Sequence, residues 1–167
     1  TIAGDLRRMV DAGFEIGLHG LDAWSDTEAA RREAAAVAEH SGRTVLGTRS
    51  HWLLDGPGTP IVLDRAGFEY DRTWGYNGDV GFKAGTAQVF RPIGAEGLLE
   101  LPLHIQDTAL FYRRYGRYIE QEAWDRCMAL WDHVRSVGGV LTVLWHMRSL
   151  APERLWGGFY RRFLDSL

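Results

Sequence analysis

Gly13-Phe14-Glu15-Ile16-Gly17-Leu18-His19-Gly20 is the stretch on which the fold turns. Just upstream, Asp5 to Ala12 carries Leu6, Met9 and Val10 at helical spacing, and Gly13 suits the stop of that helix. Phe14 to His19 then reads as a short buried strand closing on a histidine. In α/β architectures with parallel strands, ligand sites lie at the C-terminal ends of the strands. A polar, ligand-capable side chain at such an end is therefore worth following.

Helix and strand alternate outward from this unit. Ser25-Asp26-Thr27-Glu28 reads as a capping box opening an alanine-rich helix to about His40, and Ser41-Gly42 ends it. Thr44 to Thr48 is a second strand. After the loop Asp55 to Pro60, Pro60 is placed to start a short helix through Arg65. Gly67 closes that helix, and Phe68 to Trp74 is a third strand. Gly75 to Gln88 is glycine-rich and aperiodic, and Leu98 to Ile105 is a fourth strand. Trp124, Cys127, Met128, Trp131 and Val134 keep helical spacing within a helix from about Glu120 to Ser136. Val140 to Trp145 is a fifth strand, apolar enough to be buried on both faces. The last helix, from about Pro152 to Leu167, carries Leu155, Phe159, Phe163 and Leu164.

The order α-β-α-β-α-β-loop-β-α-β-α argues for an α/β fold of mostly parallel strands with outer helices. Five strands are too few for a closed barrel, which takes about eight strands and roughly 250 residues. The 167 residues amount to one domain of chain, with 46% apolar and 25% charged residues, as in ordinary globular proteins. A net charge of −3 leaves no electrostatic footprint for nucleic acid or an anionic membrane. No apolar run approaches the roughly 20 residues of a membrane span. The single cysteine, Cys127, excludes an intrachain disulfide and fits a reducing compartment such as the cytoplasm. The chain opens on Thr1 and runs at once into a helix, so residues are expected to precede it.

Three of the six histidines fall at or just beyond strand ends: His19, His51 and His146. Asp71 and Arg72 end the third strand, and Arg49 lies two residues before His51. His104 falls within the fourth strand with Asp107 after it, while His40 and His133 look solvent-facing on helices. One histidine at one strand end is ordinarily a hydrogen-bonded cap. Three at equivalent ends, where neighbouring strands converge, suggest a shared pocket. Imidazoles in a cleft suit a divalent transition metal, zinc above all, and a catalytic zinc usually keeps three protein ligands and an open position. Asp22, three residues after His19, reads as a turn residue before the capping box.

The stretch from Gly13 to Gly20 resembles the GHEIGLHS segment of polysaccharide deacetylases with the NodB-homology fold. Gly47-Thr48-Arg49 is similar to that family's arginine motif, Ala66-Gly67-Phe68-Glu69-Tyr70-Asp71 to its aGFeYDsS strand, and Leu144-Trp145-His146 to its closing leucine-x-histidine motif. The resemblance runs from Asp5 to about Leu150. It implies a partial, irregular (β/α) barrel, and residues 1–167 as the C-terminal portion of one catalytic domain. It implies a metal-dependent hydrolase that removes N- or O-linked acetyl groups from a sugar or polysaccharide. The family's metal ligands are an aspartate and two histidines spaced H-x-x-x-H. His19 matches the first histidine, but Ala23 stands where the second belongs. His51 is the substitute, and sequences of the form GLHGS…RxHY in a divergent branch are similar in this. The aspartate motif lies before the stretch that this chain covers.

The resemblance also implies roles. Arg49 would hold the upstream aspartate that activates a metal-bound water, and His146 would protonate the leaving group. Asp71 would orient such a histidine from behind. Trp74 and Tyr76, on the loop after the third strand, would offer flat faces to a sugar; packing of that loop is the plainer alternative. Trp52 lies on the loop after the second strand, and Trp124 and Trp131 are assigned to packing. Set against the deacetylase is a non-catalytic carbohydrate-binding or scaffolding relative that kept the fold and lost the metal, which Ala23 favours. A different metal-dependent amidohydrolase is the third reading.

Overall fold

Six short strands pair in parallel in the computed structural model, which describes residues 1–112, 114, 118–154 and 156–167. They are β1 (Leu18–Gly20), β2 (Gly47–Ser50), β3 (Tyr70–Asp71), β4 (Leu99–Glu100), β5 (Ile105–Gln106) and β6 (Val143–Leu144). The helices are α1 (Ile2–Asp11), α2 (Thr27–Ser41), α3 (Thr59–Ala66), α4 (Asp107–Phe111), α5 (Glu120–Ser136) and α6 (Trp156–Asp165). The chain divides into two compact units, Thr1–Trp74 with Phe90–Leu101, and Gly75–Val89 with Pro102–Leu167. No helix among the described residues is long and apolar enough to cross a membrane.

The first unit holds the sheet β1-β2-β3-β4. Its register sets Leu18 beside Thr48, His19 beside Arg49, Thr48 beside Asp71 and Asp71 beside Glu100. Leu18, Ala23, Ala30, Val45, Leu63 and Phe68 form its core against α2 and α3. Burying each large aliphatic there stabilises by about 2 kcal/mol. Asp26 caps α2 by accepting from the Ala29 N–H, one residue later than the expected Ser25 frame, while Glu28 pairs with Arg31. The first strand is shorter than the sequence pattern predicts. Pairing begins only at Leu18, and Phe14 is 62% exposed rather than buried.

The second unit pairs β5 with β6 and packs its core from Ile105, Leu110, Cys127, Phe159 and Phe163. The predicted fourth strand is two strands, because Pro102 lacks the N–H that a ladder needs. Its halves belong to different units. The fifth strand reduces to Val143–Leu144, and Val140 is 42% exposed, not buried on both faces. The Val140 N–H bonds the Ala87 carbonyl in a loop instead of a strand. α5 has the bounds its periodicity predicts, and Trp124 packs on the core. The last helix begins at Trp156, after a 3-10 turn at Pro152–Arg154, and Leu155 lies outside the described residues. α4 is too short for periodicity to announce.

Candidate functional site

In the first unit, four of the singled-out residues gather at the C-terminal ends of β1, β2 and β3. The pairing of β1 with β2 sets His19 next to Arg49, whose carbonyl lies 3.1 Å from His19 Nδ1. The His19 and His51 rings meet edge to face, with centroids 5.2 Å apart. His51 stacks in turn on Trp52 at 5.0 Å, and Trp52 is 74% exposed. Trp52 and Leu53 both hold left-handed backbone, with φ of 57° and 54°. For side-chain-bearing residues this stores on the order of 1 kcal/mol or more each, and such strain concentrates at working sites.

In register with His19, along β2, β3 and β4, lies a polar group of Arg49, Asp71 and Glu100. Arg49 Nε donates to the Arg72 carbonyl at 3.0 Å. Burial first, and then the charge of Arg72, bring the Arg49 guanidinium down to about 10, against the opposing pull of Asp71 and Glu100. Asp71 is 5% exposed. Burial pushes its carboxyl up to about 6, although the Thr73 hydroxyl (2.6 Å), the Arg72 N–H (2.8 Å) and the Arg49 charge all work against the rise. Glu100, buried at the end of β4, accepts the Trp74 N–H at 3.0 Å, and the Trp74 ring leans on Phe90. Glu100 was not singled out from the sequence, because a glutamate in an apolar strand carries no motif.

Ala23, where the second metal histidine of the resemblance would stand, is fully buried in the apolar core. A side-chain carbon on Gly20 would come within 2.8 Å of the Ala23 methyl, so this corner is closely packed. Glu33 of α2 ties the loop between them by accepting from the N–H groups of Leu21 (2.8 Å) and Asp22 (2.9 Å). Asp22 is the turn residue the sequence suggested, since its carbonyl receives the Ser25 N–H and hydroxyl. Among the described residues no group of three His, Cys, Asp or Glu side chains could hold a metal ion. His19 and His51 meet, and among the described residues no third His, Cys, Asp or Glu completes a catalytic zinc set with them.

In the second unit, His146 follows β6 and is held by Asp107, which follows β5. Its Nδ1 lies 2.7 Å from one Asp107 oxygen, and its backbone N–H donates to the other at 3.0 Å. Asp107 is fully buried, and burial alone would raise its carboxyl; the His146 contacts and the Ser149 side chain together outweigh that and hold it below the usual range. The carboxylate in contact with His146 is Asp107, while Asp71 Oδ1 accepts from Thr73 and the Arg72 N–H. The signal was available, an aspartate directly after a strand, but nothing in the sequence pairs β5 with β6. Tyr76 is 44% exposed, and its carbonyl accepts from the Gln106 amide. His104 is buried, accepts the Thr142 N–H on Nδ1, and is driven toward the neutral form by burial.

No family model matches the sequence, and no curated protein matches it. Solved structures do. A protein assigned as a polysaccharide deacetylase from Mycobacterium smegmatis superposes with a TM-score of 0.68 at 22% identity, over 98% of this chain and 60% of its own. A second, from Pseudomonas aeruginosa PAO1, gives 0.68 at 19% identity, over 98% of this chain and 56% of its own. The chain thus spans less than two thirds of either structure. At these identities the likeness is one of fold, and the fold is the α/β, parallel-stranded type with flanking helices found in those two proteins.

Proposed function

We propose that this chain is a distant relative of the polysaccharide deacetylases that binds carbohydrate at the His19–His51–Trp52 end of its first unit, without a catalytic metal centre of its own. The observation that carries this is Ala23. It stands at the position of the second metal histidine and is built into the core, with 0% exposure. An imidazole there would have to displace packed apolar groups and give up its hydration. The exposed indole of Trp52, braced on His51, offers the flat apolar face that suits a sugar ring.

The metal-dependent deacetylase is the second reading. What favours it is the contact of His19 with His51 and the Asp107–His146 pair, an arrangement that suits a proton donor. Calorimetric titration with N-acetylglucosamine oligomers, with chelator and with added zinc, separates the two. The expected result is binding that changes by less than about twofold on chelation, an energy difference below about 0.4 kcal/mol. Release of acetate from those oligomers by the zinc-loaded chain overturns the binding-only reading.

A further inference from the structure

Side chains of paired residues in a parallel sheet point to the same face, and that face alternates along each strand. Gly47, Arg49 and Tyr70 therefore share one face of the first unit's sheet, with His19 in register beside Arg49, and Arg72, one residue past β3, folds back over Tyr70. The glycines on this side make the room. A side-chain carbon on Gly47 would sit 2.1 Å from the Tyr70 ring, and one on Gly17 would sit 3.4 Å from the Arg72 guanidinium. The Arg72 head lies 5.2 Å from the centre of the Tyr70 ring.

Burial and the nearby Arg72 charge both work against the charged Arg49 guanidinium. Asp71 alternates to the opposite face and is engaged by Thr73 and the Arg72 N–H. Among the described residues neither Arg49 nor Arg72 has a carboxylate within 4.0 Å; the ion pairs present are surface contacts and the His146–Asp107 pair of the second unit. The buried Nε of Arg72 has no hydrogen-bond partner. Arg49 Nε is taken by the Arg72 carbonyl; the other N–H groups of the two forks suit an anion, and a carboxylate above all, because it accepts two parallel N–H groups from one guanidinium.

We propose that Arg49 and Arg72 form an anion-binding face that selects an acidic sugar, one bearing a carboxylate, at this site; the inference rests on the carbohydrate reading above. Arg49 already lies in the field of the Asp71 and Glu100 carboxylates, which leaves Arg72 to meet the ligand. Arg72 is therefore the residue to test.

Three probes are titrated calorimetrically: a galacturonate tetramer, an N-acetylglucosamine tetramer, and inorganic phosphate alone. The acidic tetramer is expected to bind at least about tenfold tighter than the neutral one at low salt. Arg72→Gln should erase that preference and leave the neutral tetramer unchanged, while Arg72→Lys, which keeps the charge and loses the fork, retains part of it. Equal affinity for the two tetramers, or an unchanged preference in Arg72→Gln, overturns the acidic-sugar inference and leaves carbohydrate binding standing. Binding of phosphate with neither tetramer overturns the carbohydrate reading and upholds the anion face. Binding of none of the three overturns both.

Discussion

Asp71 of the first unit and Asp107 of the second occupy equivalent places, each buried at a strand end beside a basic side chain. Their titrations move in opposite directions. Around Asp71, burial outweighs two hydrogen bonds and the nearby Arg49 charge, and the carboxyl rises to about 6. Around Asp107, the His146 ring and backbone N–H together with the Ser149 side chain outweigh burial, and the carboxyl falls. The difference lies in direct contact. Asp107 holds its basic partner at 2.7 Å, whereas the Arg49 Nε turns to a carbonyl and leaves Asp71 with neutral donors. A strand-end aspartate is thus an anchor where its basic partner touches it and a weaker acid where that partner looks elsewhere.

The largest expected effect comes from breaking the anchor. Asp107→Ala removes the acceptor from a histidine ring and a backbone N–H at once, and should cost about 2–3 kcal/mol in urea denaturation. The wild-type pH dependence carries the same sign. Because the folded carboxyl lies below its unfolded value, its contribution is fully present above the ordinary carboxylate range, about 4, and is lost as pH falls through the folded value. Asp107→Asn should lack that acid limb. A loss under about 1 kcal/mol in Asp107→Ala would mean the dyad is not an anchor.

Asp71 should show the reverse. Its folded carboxyl lies above the unfolded one, so the contribution is present below about pH 4 and is lost as pH rises through about 6. Asp71→Asn keeps an acceptor for Thr73 and cannot ionise. Relative to wild type it should gain on the order of 2 kcal/mol between pH 4 and pH 7, measured as the change in denaturation midpoint across that window. If both proteins follow the same curve, Asp71 is already ionised in the folded state and the contrast with Asp107 disappears.

Much of this comparison was legible in the sequence, and the missing parts share one cause. The α/β alternation, the bounds of α5 and the positions of His19, Arg49, His51 and His146 at strand ends all follow from local pattern. Partners across strands do not. Nothing local pairs Gln106 with Leu144, so Asp107 could not be matched to His146, and Asp71 stood in its place. Periodicity also overstates strands. Phe14 to Gly17 alternate suitably, yet only Leu18 to Gly20 find a neighbour, because pairing is decided by the second strand. Ala23 was legible as a gap in a motif, and its burial is what turns the gap into a core position.

The smallest effect concerns how each unit holds its histidine. His146 is fixed by a buried carboxylate, while His51 is braced by a stacked indole on left-handed backbone. Trp52 and Leu53 are the non-glycine residues with positive φ among the described residues, so the first unit carries strain that the second does not. Glycine adopts φ near 57° without a Cβ penalty, at some cost in unfolded-state entropy. Trp52→Gly should therefore leave the protein more stable by about 0.5–1 kcal/mol while weakening binding of N-acetylglucosamine oligomers at least about tenfold. Trp52→Ala keeps the strained backbone and loses the same ring, so it should match the binding defect without the gain in stability. If Trp52→Gly is less stable than Trp52→Ala, the left-handed turn is unstrained, and the two histidines are held at similar cost.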